Sequence, residues 1–259
     1  MKNMARSYDF YERIARKYDE MYESITWNVH HEIIRNILDE IVSGSMHIMD
    51  LGAGTGRWAL YFAKKGMEVT AVEPSGAMIE VMKEKVNSMK IKFVQSKAEN
   101  MNFFQEFDLI NAQGDVLSYL DDLEEGLNRI HKALKPNGIF TGTVDSKYFF
   151  IKDLSRMGEF EKIDAIERNP VIFIGDPDVD ITFKTRLFTS KTLSQLLEDH
   201  KFKVIEISGI ITFGPYEESL HSKFNEIVEN ELRYKDDPIL VDQAMHLHFK
   251  AKKIEEVIK

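Results

Sequence analysis

The 259-residue chain contains no cysteine, which excludes disulfides, thiolate metal centres, cysteine nucleophiles and iron–sulfur clusters together. Stability has to come from packing. An excess of positive charge is also missing: 34 Lys and Arg stand against 43 Asp and Glu, for a formal net charge of -9. No long-range positive field draws such a chain to phosphate backbones or anionic lipid, so nucleic acid is not expected as a partner. Apolar runs of bilayer-spanning length are absent from the sequence, and Met1 to Tyr22 has no apolar stretch like that of a secretory signal. A cytoplasmic protein without a membrane span is expected.

What the sequence does have suffices for a core. With 43% hydrophobic residues, it falls where one main domain, with or without a small insertion, is the expectation. From Tyr8 to Tyr22, the larger side chains Tyr8, Tyr11, Ile14, Tyr18, Met21 and Tyr22 recur at helical spacing. They predict one amphipathic helix or two short ones. His30 to Val42 repeats the pattern and stops at Gly44, a residue suited to a left-handed C-terminal cap.

Strand and helix patterns then alternate. Strands are predicted at His47–Leu51, Val69–Val72, Ile91–Val94, Phe107–Ala112 and Ile139–Val144, the last entered through a Pro136-Asn137-Gly138 turn. Helices are predicted at Arg57–Lys65, after a Ser75 cap, and at Leu123–Leu134. Such alternation implies a largely parallel sheet covered on both faces. Ser146–Asp180 breaks the rhythm and reads as an insertion. Ile181–Phe188 reads as a strand, Thr189–His200 as a helix started by Ser190, and Phe202–Ile211 as a strand. A polar helix from Glu217 to Tyr234 leads to a final strand at Met245–Ala251, read as antiparallel.

The chemistry concentrates in Met49-Asp50-Leu51-Gly52-Ala53-Gly54-Thr55-Gly56, which leaves a strand and enters a helix. Glycine permits a tight turn at positive φ and close approach of a ligand to the backbone. A dinucleotide fingerprint places its third glycine where this chain has Arg57. The spacing therefore suits a ligand without a pyrophosphate over the helix start. Glu73 ends the second strand, where a carboxylate can accept hydrogen bonds from both ribose hydroxyls of an adenosine.

These residues resemble the class I S-adenosylmethionine (SAM)-dependent methyltransferases, particularly the branch grouped with ubiquinone and menaquinone biosynthesis. The resemblance is carried by Asp50 and the Gly52–Gly56 loop, Glu73, the Ala98-Glu99 pair, Asn111 to Leu117 after the fourth strand, and Leu134 to Ile139 entering the fifth. It covers roughly residues 45–145, and Phe188–Gly209 also fits. It implies a Rossmann-like α/β fold: a largely parallel sheet with an antiparallel final strand, helices on both faces and an insertion. The cofactor it implies is SAM, with S-adenosylhomocysteine as product, held by Asp50, Gly52, Ala53, Gly54, Gly56, Glu73, Pro74, Met78, Ala98, Glu99, Gln113 and Gly114. Tyr11 and Tyr18 resemble the segment that folds over the cofactor in relatives, or else form a packing stripe. Residues 1–44 would be a helical cover and 146–187 a lid on the side of a small-molecule acceptor.

Methyl transfer from a sulfonium needs no metal, and none is expected here. Position does most of the work. A general base is required only if the acceptor is protonated. Asp115, just beyond the fourth strand, is the first catalytic candidate, with a helix cap as its other reading; Asp145 holds the equivalent place after the fifth. His246 and His248 share one face of the final strand and are read as the polar side of an outer strand, without a third ligand. Two other functions stay open at this level: SAM binding without transfer, and a nucleotide-dependent oxidoreductase, against which Arg57 argues.

Overall fold

In the computed structural model, which describes residues 4–176 and 180–254, the chain opens with β1 (Met4–Ala5), α1 (Ser7–Ile14), a 3-10 turn at Asp19–Tyr22 and α2 (Ile25–Ile41). There follow β2 (His47–Leu51), α3 (Arg57–Lys64), β3 (Glu68–Glu73), α4 (Gly76–Lys85), β4 (Ile91–Gln95), β5 (Phe107–Ala112), α5 (Val116–Tyr119), α6 (Leu123–Ala133) and β6 (Leu134–Asp145). After α7 (Lys147–Arg156) and α8 (Phe160–Arg168) comes the hairpin β7 (Val171–Asp176) and β8 (Ile181–Arg186). The chain then runs through α9 (Ser190–Asp199), β9 (Phe202–Ile210), α10 (Phe224–Tyr234) and β10 (His246–Lys253).

Among the described residues the strands form two sheets, the larger of seven strands in the order β4-β3-β2-β5-β6-β10-β9. β10 lies antiparallel to both its neighbours, whereas β2 through β6 pair in parallel. The direction of winding reverses between β2 and β5, so a crevice opens at the carboxyl ends of those two strands, the place where open α/β sheets bind ligands.

The period of two along each strand divides the core between the faces. Met49, Val72 and Ile110 pack with Leu127 and Ile130 of α6 and Leu193 and Leu197 of α9. Their sequence neighbours Ile48, Ala71 and Leu109 pack with Leu38 of α2, Phe62 of α3 and Met82 of α4 on the other side. α2 is buried along a second stripe as well, where Ile25, Val29, Ile33 and Ile37 meet Ile210 and α10. Each such aliphatic side chain fully buried contributes about 1.5–3 kcal/mol. A mostly parallel sheet with helices on both faces is thus what the alternating pattern builds.

Several sequence expectations need correction. α2 begins at Ile25 rather than His30, because Ser24 Oγ accepts the Trp27 amide at 3.4 Å and caps a helix whose first turn is packed on its neighbours. Pro136-Asn137-Gly138 does not precede the fifth strand; it bulges within β6, between the pairs Phe107–Leu134 and Leu109–Ile139, with Asn137 at φ 63. Thr189, not Ser190, caps α9: its Oγ1 accepts the Thr192 amide at 3.1 Å. The strand expected at Ile181–Phe188 ends at Arg186 and lies outside the large sheet, joining β1 and β7 in a three-stranded sheet. Finally, β10 is no outer strand. It is inserted between β6 and β9, and His246 and His248 are buried at 5% and 1% exposure.

Candidate functional site

The loop after β2 takes positive φ at Gly52 (67°), Gly54 (54°) and Gly56 (92°). These glycines do different things. A Cβ on Gly52 would lie 2.5 Å from Val116 Cγ2, and one on Gly56 only 2.4 Å from Met82 Cγ, so both allow close packing of the loop on α5 and α4. A Cβ on Gly54 would meet nothing within 4 Å. It would meet open space, where Gly54 lines a cavity of about 110 Å³.

Glu73 secures the far wall. Its Oε2 accepts the Gly54 amide and its Oε1 the Ser75 amide, each at 2.9 Å. Burial nevertheless pushes its carboxyl up to about 7, against those two backbone donors. A carboxylate has about four lone-pair sites, so acceptor capacity remains on the side facing the cavity. Ser75 Oγ accepts the Met78 amide at 3.1 Å and caps α4, which keeps Pro74 and Met78 on the wall.

The same cavity is lined by Tyr11, Tyr18, Gly52, Ala98, Glu99, Gln113 and Gly114. Ala98 and Glu99 form the 3-10 turn after β4, and Glu99 Oε1 accepts the Asp122 amide at 3.1 Å. Gln113 Oε1 is buried without a hydrogen-bond partner. The backbone amides of Gly114 and Asp115 both donate to Thr143 Oγ1, at 3.0 and 3.2 Å.

Four residues from the sequence reading sit elsewhere. Asp50 stands behind the wall: Asn111 Nδ2 donates to its Oδ1 at 2.8 Å, Gln113 Nε2 donates to Asn111 Oδ1 at 3.2 Å, and burial pushes Asp50 up to about 7. Gly56 faces Met82 rather than the cavity. Ala53 lines a second cavity, as does Asp115.

The N-terminal segment is fixed over the first cavity by two acids. Glu12 Oε2 accepts Ser75 Oγ at 2.5 Å and the Ala77 amide at 3.1 Å. Asp19 accepts Thr55 Oγ1 at 2.6 Å and Lys85 Nζ at 2.5 Å. Between these anchors, Tyr11 and Tyr18 stack edge-on at 5.8 Å, and Tyr11 also meets Tyr119 at 6.3 Å. Their rings belong to both cavities, as do Gly54, Gln113 and Gly114.

The second cavity, about 250 Å³, adjoins the first across these shared residues. Its deep end holds Asp115 at the end of the β5 loop, Asp145 at the end of β6 and His246 at the start of β10, with one ligand atom from each lying within 4.8 Å of the others. His246 Nε2 is 3.3 Å from Asp115 Oδ2. Burial pushes both carboxyls up, Asp145 further through repulsion from Asp115, and the nearby His246 offsets part of the rise at Asp115. His30 of α2, its ring 5.0 Å from that of His246, is held well below its ordinary value by burial and by the neighbouring histidines. Tyr22, Trp27, Trp58, Phe149 and Phe150 complete the walls.

The sequence reading named Asp115 and Asp145 but missed Trp27, and it gave the pair His246 and His248 no third ligand, whereas His246 stands with Asp115 and Asp145. Trp58, half-buried, packs against the core on one side and lines this wall on the other. No local signal tells an inserted strand from an outer one, since both alternate with the same period.

Residues 48–138 match the family model described as a methyltransferase domain. A putative methyltransferase of Geobacillus sp. (strain WCH70) is 28% identical over 144 residues, 53% of this chain and 58% of that protein. A demethylmenaquinone methyltransferase of Leptospira interrogans is 28% identical over 229 residues, 79% of this chain and 87% of that one. Among solved structures, a SAM-dependent methyltransferase of Methanosarcina mazei superposes with a TM-score of 0.63 at 20% identity, over 85% of this chain and 98% of that one. The match to the Geobacillus protein thus spans a little over half of that protein's length.

Proposed function

We propose that the chain is a class I SAM-dependent methyltransferase that transfers a methyl group from SAM to a small-molecule acceptor. The cavity bounded by Gly54 and Glu73 is the SAM site in this reading, and the adjoining one receives the acceptor. The observation that carries it is the Glu73 carboxylate, fixed by the Gly54 and Ser75 amides at 2.9 Å on a wall where the Gly54 Cα faces open space. Glu73 would accept the ribose hydroxyls, Ala98 and Glu99 would flank the adenine, and Gln113 with Gly114 would meet the amino-acid portion. The unpartnered, buried Gln113 Oε1 fits a ligand bearing an ammonium donor.

SAM, when bound, supplies a methyl group made electrophilic by its sulfonium charge. The protein's part is to position, to exclude water and to receive a proton where the acceptor gives one up. Tyr11 and Tyr18, pinned through Glu12 and Asp19, close the SAM site from above. Asp115 stands beyond the shared residues, on the acceptor side. A small acceptor and a cytoplasmic setting belong to the same reading. Supporting it are the net charge of -9, the lack of cysteine, and the fact that no helix among the described residues is long and apolar enough to cross a membrane.

Calorimetric titration with S-adenosylhomocysteine, and separately with NADH, tests the proposal. Saturable S-adenosylhomocysteine binding is expected, weakened about tenfold or more in Glu73→Ala through loss of charge-assisted hydrogen bonds. Binding of NADH alone would overturn it.

A further inference from the structure

We propose that the acceptor is an amine, admitted to the second cavity as an organic cation; this rests on the methyl-transfer reading above. Asp115 and Asp145 are buried at 7% and 5% exposure in one space, and each keeps an oxygen, Asp115 Oδ1 and Asp145 Oδ2, without a hydrogen-bond partner. Two buried carboxylates this close cannot both ionise without a cation between them. Asp115 has a basic side chain beside it. His246 faces Asp115 through Nε2, while no cationic side chain pairs with Asp145 among the described residues. His30 stays neutral in its buried place, and Arg57 is exposed at the rim.

An ammonium group answers this arrangement at each point. Its N–H donors suit the two free oxygens. Its carbon substituents suit the rings around them: Tyr22, Trp27 and Tyr119 line this space, and Trp27 lies 5.7 Å from His246. Aromatic faces attract organic cations most strongly where water is excluded. A carboxylate or phosphate acceptor would instead bring further negative charge to a floor where the two acids already compete to ionise. A divalent metal ion would engage Asp115, Asp145 and His246 but would leave the rings without a role.

Methylation of an amine nitrogen forms one N–C bond and breaks the C–S bond of the sulfonium, whose electron pair stays on sulfur. One proton is released overall. Asp115 and Asp145, both pushed up by burial, are placed to take it from the incoming ammonium and expose the nitrogen lone pair.

The test is fluorescence of Trp27 and Trp58, both on the cavity wall, in the full chain saturated with S-adenosylhomocysteine. N,N-dimethylethanolamine, protonated at neutral pH, is titrated against 3-methyl-1-butanol, its uncharged carbon isostere, and Mn²⁺ in a third arm. Saturable amine binding is expected, about tenfold or more tighter than the isostere. Asp145→Asn should weaken the amine by a similar factor and leave S-adenosylhomocysteine affinity unchanged, which also reports that the variant is folded. Equal responses to the amine and the isostere in the unmodified chain would overturn the proposal. So would Mn²⁺ binding that depends on Asp145 and that the amine does not displace. Amine binding without any S-adenosylhomocysteine binding would remove the transfer reading and keep the cation site; the reverse result would remove only the cation site.

Discussion

Gly44 and Gly54 form a matched pair for measuring what the glycine loop is for. Both sit in the left-handed region, at φ 60 and 54, and a Cβ on either meets no atom within 4 Å. Replacing either by alanine therefore incurs the same backbone strain, about 1–2 kcal/mol. The lower entropy of the unfolded alanine chain offsets about 0.4–1 kcal/mol of that. With roughly 0.5 kcal/mol per degree for a chain of this length, each variant should lose at most about 3 °C in Tm. They should part company on binding. Gly44 is exposed at the end of α2, whereas Gly54 lines the cavity and a Cβ there meets open space. A methyl group forced into space that a ligand fills costs about 1–3 kcal/mol, which is roughly a 5- to 150-fold loss of S-adenosylhomocysteine affinity. Differential scanning calorimetry and isothermal titration give the two readouts. Matching Tm losses with unchanged affinity in Gly54→Ala would refute the assignment of this cavity to the cofactor.

Two further predictions concern the carboxylates. Asp50, held near 7 when folded against an ordinary 3.8, retains its proton in the folded chain over a range where the unfolded chain has lost it, so its contribution falls as pH rises from about 4 to 7. Asp50→Asn should accordingly gain stability over the parent on going from pH 4 to pH 8, by at most about 4 kcal/mol, with little change in S-adenosylhomocysteine affinity; denaturation curves that stay parallel at the two pH values would contradict this. Asp115→Asn should slow release of S-adenosylhomocysteine with an accepted amine by about a hundredfold if Asp115 takes the proton, leaving SAM affinity intact. Unchanged turnover would remove Asp115 from the mechanism.

The sequence was most legible where chemistry and local geometry coincide. Positive φ at Gly52, Gly54 and Gly56, and Glu73 at a strand end, follow from residue types and spacing that few other structures need. Yet the spacing could not say which glycine faces the ligand, because that depends on Val116 and Met82, which are remote in sequence. Asp50 misled for a similar reason: adjacent to the loop, it points instead to Asn111 on the neighbouring strand. The second cavity was the least legible part. Trp27 and His30 come from α2, Asp145 from β6 and His246 from β10, and only the insertion of β10 between β6 and β9 brings them together. His246 and His248 occupy alternate positions in a strand whose burial on both faces is set by partners far away in sequence.

The central claim is that two adjoining cavities divide the labour, SAM in one and acceptor in the other, meeting at Tyr11, Tyr18, Gln113 and Gly114. A crystal structure with S-adenosylhomocysteine bound tests it most directly. The account predicts both ribose hydroxyls on the Glu73 carboxylate and the sulfur at the junction, turned toward Asp115. S-adenosylhomocysteine bound away from Glu73, or with its sulfur walled off from the second cavity, would contradict it.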